Sequence, residues 1–233
     1  MDFTVEQFLD MFQRYNEAIW PMQIVGYAIG LFIVAMLIAR LRGSRSLLAS
    51  HSVTDRLLPA LLAGYWTWIG VVFMWGYQAD MSASGRPFGV LFLIGAVAFA
   101  AAALVGPDLG LGQVPSWRVA VGGTMMAYGM LIYPLVGAFA GHTYPSAPVF
   151  GVAPCPTVIF TLGVLVCCLR PRWHLLAMPL VWACIATSAA FKLGMTEDFG
   201  LIVSAVVTAL VVFWLASPRR AAHQSALVSV DRQ

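Results

Sequence analysis

Gly141-His-Thr-Tyr-Pro-Ser-Ala-Pro-Val-Phe-Gly-Val-Ala-Pro-Cys-Pro-Thr157 stands in the middle of a run of 51 residues, Val119 to Leu169, without a single Asp, Glu, Lys or Arg. Its prolines and glycines are too frequent for a helix. Its apolar character is wrong for a solvated loop. The segment is expected to be structured at a membrane face and packed into the protein, carrying one histidine and one cysteine. It marks where the protein works without saying on what.

Outward from this loop, the apolar run is long enough for two bilayer crossings of roughly 20 residues each. The whole chain is 61% hydrophobic and only 10% charged, with a mean hydropathy of +0.84, which is outside the range of soluble globular domains. Charged residues cut the remainder into further apolar intervals at 18–39, 57–79, 87–107, 173–191 and 199–218. The expected fold is all-α: a polytopic membrane bundle of seven transmembrane helices, near 19–40, 57–78, 87–106, 118–140, 155–170, 173–193 and 198–217. In domain terms, residues 1–17 form an amphipathic outer-surface helix, 18–217 the seven-helix domain with its structured outer loop 141–157, and 218–233 a cytoplasmic polar tail. With six spans instead, 155–170, the shortest, becomes a re-entrant segment.

Charge orients the bundle. Arg40, Arg42, Arg45, Arg56, Arg118, Arg170, Arg172, Arg219, Arg220 and Arg232 fall on one side under the seven-span reading, and only Arg14, Arg86 and Lys192 on the other. The positive-inside rule then puts the N-terminus outside and the C-terminus in the cytoplasm. A net charge of +3 carried by residues flanking spans fits anionic lipid and gives no reason to expect nucleic acid. The acidic start and the full-length first span speak against a signal peptide. Compactness and short loops fit a multi-pass protein of a bacterial inner (cytoplasmic) membrane.

Thr4-Val-Glu-Gln7 has capping-box spacing, and Val5, Phe8, Leu9 and Phe12 recur at helical intervals, so a short amphipathic helix precedes the first span. It reads first as a surface anchor and second as a lid over the outer mouth. Trp66 and Trp68 lie in the second span among Gly64, Gly70 and Gly76. Close helix contacts make them packing residues first and candidate walls of a ligand site second.

Topology leaves His142 as the one outside histidine and Cys155 as the one outside cysteine. Cys155 stands between Pro154 and Pro156 at an expected helix start, where unpaired amides favour a thiolate or an anion and desolvation opposes it. The alternatives for it are a buried inert thiol, a pair between subunits, a soft-metal ligand or a nucleophile. His142 lies 13 positions earlier, a spacing that is no zinc signature; a metal held by His142 and Cys155 would need Glu17, Glu197 or Asp198 as well. Glu197 and Asp198 open the last span, where acids suit a helix start, and Lys192, the single lysine, is placed to pair with either. No Asp, Glu, Lys or Arg is expected near the middle of a span, which argues against a proton pump, a strongly charged substrate path and a retinal pigment.

Tyr15-Asn16 with Trp20-Pro21, Tyr133-Pro134, Gly141-His142 with Tyr144-Pro145, Phe150-Gly151, Pro154-Cys155-Pro156-Thr157 and Glu197-Asp198-Phe199-Gly200-Leu201 together resemble the pattern of a family of bacterial multi-span membrane proteins known only as a domain of unknown function. The resemblance runs from the amphipathic helix to the seventh span. It implies a bacterial integral membrane protein with the outer loop as its signature, of a kind sometimes labelled permease-like. It brings no catalytic residue, substrate or cofactor.

Three classes of function follow. The first is binding or transport of a small neutral solute or a soft metal ion from the outer face, with His142 and Cys155 as contacts, Tyr144 and Phe150 as loop anchors, Trp66 and Trp68 as deeper walls, and Glu197 and Asp198 at the mouth. The second is a structural or stress-response subunit whose outer loop docks a protein. The third is a membrane-embedded enzyme with Cys155 as nucleophile and His142 as base, which requires the two within about 3 Å or bridged by water. The sequence names no cofactor and no oligomeric state.

Overall fold

The computed structural model describes residues 3–43, 50–106, 108–111, 114–170 and 172–215, without the side chains of residues 51, 52 and 213–215. The expected tail 218–233, with Arg219, Arg220, Arg232 and His223, lies outside the described residues, as does Arg45. Every regular element among the described residues is helical.

The first is α1 (Val5–Ala18), started by the expected capping box: the Gln7 N–H donates to Thr4 Oγ1 and the Thr4 N–H to Gln7 Oε1. Then come α2 (Met22–Leu41) and α3, which runs from His51–Trp68 through a π-helical segment, Ile69–Gln78, to Met81. Next is α4 (Gly85–Val105), followed by α5, which is α-helical over Ser116–Ala127, π-helical over Tyr128–Ile132 and α-helical again over Tyr133–Phe139. After a long irregular loop come α6 (Pro154–Val166), α7 (Trp173–Leu193), a 3₁₀ turn at Thr196–Asp198 and α8 (Phe199–Leu215).

Five of these helices, α2, α3, α4, α5 and α7, are long and apolar enough to cross a membrane. Large apolar side chains lie bare along several of them, such as Leu31, Val97, Leu104, Phe139 and Phe191. Soluble monomers rarely leave so much contiguous apolar surface uncovered. The chain therefore has the make-up of a membrane protein.

The expected fifth span differs. The helix covers 13 residues, Pro154–Val166, not 155–170, and all of them except Cys155 are buried. At 1.5 Å per residue it is about 20 Å long, short of the roughly 30 Å hydrocarbon core. It is a central post, packed against α5, α7 and α8. Small residues make the fit: a Cβ on Gly122 would stand 2.5 Å from the Gly163 carbonyl oxygen, and one on Gly129 2.5 Å from that of Pro156. At its far end Arg118, expected only as one of the charges that orient the bundle, is fully buried and donates to the carbonyls of Val166 (3.0 Å) and Cys168 (2.6 Å). A cation there meets the negative end of the helix dipole.

The loop before α6 runs into the helices beside it. Phe150 is 1% exposed and its ring lies over Gly30, where a Cβ would approach Phe150 Cε1 to 2.5 Å. Gly30 is eight residues, or about 12 Å, inside α2. Gly151 follows at φ +82°, against Gly26 of the same helix, a backbone approach that leaves no room for a side chain. Irregular backbone at such depth is tolerated only when enclosed by protein and hydrogen-bonded. Here the Gly151 N–H donates to Thr157 Oγ1 (2.9 Å), and the Ala153 and Val152 N–H groups to the Val149 carbonyl.

Candidate functional site

Beneath α1 lies a cavity of about 60 Å³. Its roof comes from the chain start, with Phe3, Phe8 and Phe12; its walls from the π segment of α3, with Phe73, Met74 and Gln78, and from Phe88 of α4; its floor from α5, α7 and the loop, with Tyr133, Trp182, Ala186, Pro148, Pro154 and Cys155; and Asp198 closes one corner. The walls are apolar apart from Gln78, and the other polar groups lie at the floor and that corner.

The roof is docked rather than laid flat on a surface. Met11, Phe12, Tyr15 and Asn16 of α1 are buried. Phe12 stacks on Phe73 at 5.2 Å, and Tyr15 meets Phe73 and Tyr77 edge-on. The Tyr15 hydroxyl accepts from Trp68 Nε1 (2.9 Å) and donates to the Val152 carbonyl (2.7 Å), while Asn16 Nδ2 donates to the carbonyls of Pro145 (2.6 Å) and Ala147 (2.8 Å). Burial pushes the Tyr15 phenol well above its ordinary range, so it stays a donor. α1 thus roofs the cavity, and the Trp68 indole helps to hold it there.

The polar corner is organised by the two adjacent acids. His142 Nδ1 meets Glu197 Oε1 at 2.9 Å, with side chains 10% and 1% exposed. The Tyr128 hydroxyl donates to the Glu197 carbonyl (2.9 Å), and the Tyr133 hydroxyl donates to Asp198 Oδ1 (2.6 Å). Burial pushes the Asp198 carboxyl up to about 6, opposed by the Tyr133 hydroxyl and the neighbouring Cys155 thiol, which favour its charged form. Trp182 is 6% exposed; its indole N–H faces the Cys155 sulfur yet has no hydrogen bond of ordinary geometry among the described residues.

The sequence-derived residues therefore divide. Cys155 and Asp198 line the cavity. His142 and Glu197 brace the turn that presents Asp198. His142 and Cys155 face different carboxylates. Among the described residues no three His, Cys, Asp or Glu side chains are grouped to hold a metal ion. Lys192 is exposed, and the acids it was expected to meet are engaged by His142 and Tyr133. Trp66 is fully buried against Gly95, Phe92 and Thr161, a packing residue that does not line the cavity. Phe150 plugs the bundle at Gly30, and Tyr144 is 54% exposed on the loop's outer side.

Tyr133, Trp182 and the α1 phenylalanines were missed. For Tyr133 and Trp182 the available signal is a polar atom on an otherwise apolar span, which must find a partner or a ligand when buried. No curated protein and no solved structure matches the chain. The sequence model of one family, described as a family of unknown function (DUF6064), matches residues 5–223, and the chain belongs to that family.

Proposed function

We propose that this is a seven-crossing integral membrane protein, N-terminus outside, that binds a small neutral, mostly apolar solute in the cavity beneath α1. The five long helices, α8, and the loop with α6 as one composite crossing make up the seven. The composite crossing is a broken span of the kind that brings binding sites into membrane proteins. The arginine distribution supports the orientation, which puts α1 and the cavity on the outer face.

One observation carries the binding reading: a mostly apolar cavity, roofed by α1, with a few polar groups at its wall, floor and corner, among them an indole N–H that has no hydrogen-bond partner among the described residues. Small-molecule sites have that make-up. Among the described residues no three such ligands are grouped, which weighs against the soft metal. π-helical segments in α3 and α5, next to the cavity residues Phe73 and Tyr133, fit a functional locale.

The test is native mass spectrometry of the gently extracted full chain, with elemental analysis in parallel and Ala186→Leu as the variant that fills the cavity. A constant-mass organic adduct on the wild type, absent from Ala186→Leu, is expected. An adduct retained by both, or stoichiometric metal, would overturn the reading. A cytoplasmic-only fluorescent reporter fused to the C-terminus should fluoresce if the orientation holds.

A further inference from the structure

On the outside of the bundle, α3 and α4 leave a groove between them. Their backbones touch: a Cβ on Gly89 would stand 3.0 Å from the Gly70 carbonyl oxygen and would collide with the Trp75 indole. Trp75 Nε1 donates to the Arg86 carbonyl (3.1 Å), which pins the ring across the start of α4. Beside that ring an apolar groove runs past Val90, Leu93, Ile94 and Val97, and the same Trp75 and Val90 line its continuation to Pro87 and Arg86. Trp75, Val90, Ile94 and Val97 are all exposed.

Length, polarity and charge together select what lies in it. Val97 is about 16 Å beyond Arg86 along α4, half of the roughly 30 Å hydrocarbon core, or one leaflet. Over that length the one polar group is the indole N–H, which is already spent on the Arg86 carbonyl, so the groove suits an alkyl chain. It ends on Arg86, an exposed cation in the first turn of α4. Among the described residues no acidic side chain lines either stretch. Asp80, the nearest acid in sequence, lines a separate hollow with Asp10 and Glu17 of α1. A guanidinium so placed calls for an anion, and its planar fork matches phosphate. A zwitterionic headgroup would bring an ammonium that finds no carboxylate there. A second copy of this chain, packed on the same face by two-fold symmetry, would bring its own Arg86 and no anion. Resting on α3 and α4 as membrane crossings, and not on what fills the cavity, we infer that the groove seats one anionic glycerophospholipid, its phosphate on Arg86 and an acyl chain along Trp75, Val90, Ile94 and Val97.

The experiment places the full chain in nanodiscs of equal phosphatidylglycerol and phosphatidylcholine with matched acyl chains, and native mass spectrometry identifies the lipid that stays bound on gentle release. Wild type should keep one phosphatidylglycerol about fivefold over phosphatidylcholine, the worth of one guanidinium against an anionic lipid. Arg86→Gln should erase that preference, its carbonyl still holding Trp75. Lys192→Gln, which removes an exposed cation from the last turn of α7, should leave it intact. Val90→Trp fills the groove where its two stretches join and should release lipid of both kinds. All three positions are exposed, so the fold should tolerate the changes. No preference in wild type, a preference that survives Arg86→Gln, or one lost equally with Lys192→Gln would overturn the inference, the last by assigning it to diffuse surface charge. Lipid kept by Val90→Trp would overturn it too, as would lipid-free dimers that Val90→Trp disperses, which would make the occupant a second copy. A chain recovered outside the discs would overturn the membrane reading along with it.

Discussion

Asp198→Asn should make this protein more stable at neutral pH and flatten its stability across the acid range. The carboxyl stands at about 6 in the folded protein against an ordinary 3.8, because burial disfavours its charged form. Between those two values the native state binds more protons than the unfolded chain, so stability falls as pH rises through this window and levels off above it. Below the lower value the group is protonated in both states and contributes nothing. At about 1.4 kcal/mol per tenfold, the full cost at neutral pH is roughly 3 kcal/mol, of which about 2 kcal/mol develops between pH 4.5 and 7.5. Asparagine keeps an oxygen for the Tyr133 hydroxyl and has no charge to bury. The assay is thermal unfolding of wild type and variant side by side at closely spaced pH values, read as the difference between them, because every other carboxyl cancels. At roughly 2–4 °C per kcal/mol for a chain of this size, the variant's advantage should grow by several degrees from pH 4.5 to 7.5. A pH-independent difference, or a wild type that gains on the variant as pH rises, would refute the burial argument.

Phe150→Ala removes the ring that fills the space over Gly30 and touches Tyr27, Tyr65 and Phe160; about 3–5 kcal/mol should be lost, measured by thermal unfolding. Tyr15→Phe leaves the Trp68 N–H and the Val152 carbonyl without their partner, at about 1–3 kcal/mol. Since both bonds hold α1 down, trypsin should then cut after the exposed Arg14 faster than in wild type, while global unfolding moves less. His142→Ala strips the buried Glu197 carboxylate of its 2.9 Å partner and should cost about 1.5–3 kcal/mol. His142→Gln, which can still donate, should recover part of that loss; equal melting of the two variants would assign the effect to packing.

The long apolar helices are legible in the sequence because a span needs only length and hydropathy, and charged residues mark its ends. The expected intervals 87–106 and 173–193 nearly coincide with α4, Gly85–Val105, and α7, Trp173–Leu193. The capping box at Thr4 is equally legible, being a local rule. Hydropathy fails at α6, since a helix enclosed by other helices is as apolar as one enclosed by lipid, and only its shortness hinted at the difference. Amphipathicity fails at α1 for the same reason: an apolar stripe suits a membrane surface and a protein groove alike. Within the site, composition singled out Cys155 and Asp198, the scarce reactive groups. It passed over Trp182, one of eight tryptophans, because nothing in its neighbours tells whether an indole N–H is spent.

The adjacency of Glu197 and Asp198 has a structural logic that the sequence reading as two helix-start acids does not contain. They sit in a 3₁₀ turn, Thr196–Asp198. With three residues to a turn, successive side chains leave about a third of a revolution apart. One carboxylate thus reaches His142 at the end of the loop strap, and the other reaches Tyr133 and the cavity. Glu197 needs its partner simply to be tolerated in the interior, and that pairing fixes the turn that aims Asp198. His142 thereby acts on the cavity without lining it, joining the loop's entry into the bundle to the orientation of Asp198 at the cavity's corner. The same loop, ten residues on, is held by Tyr15 of α1 through the Val152 carbonyl. α1, the loop and the acid form one connected structure, so displacing α1 disturbs the segment whose other end holds the acid. Access to the cavity and the setting of its polar corner are thereby linked.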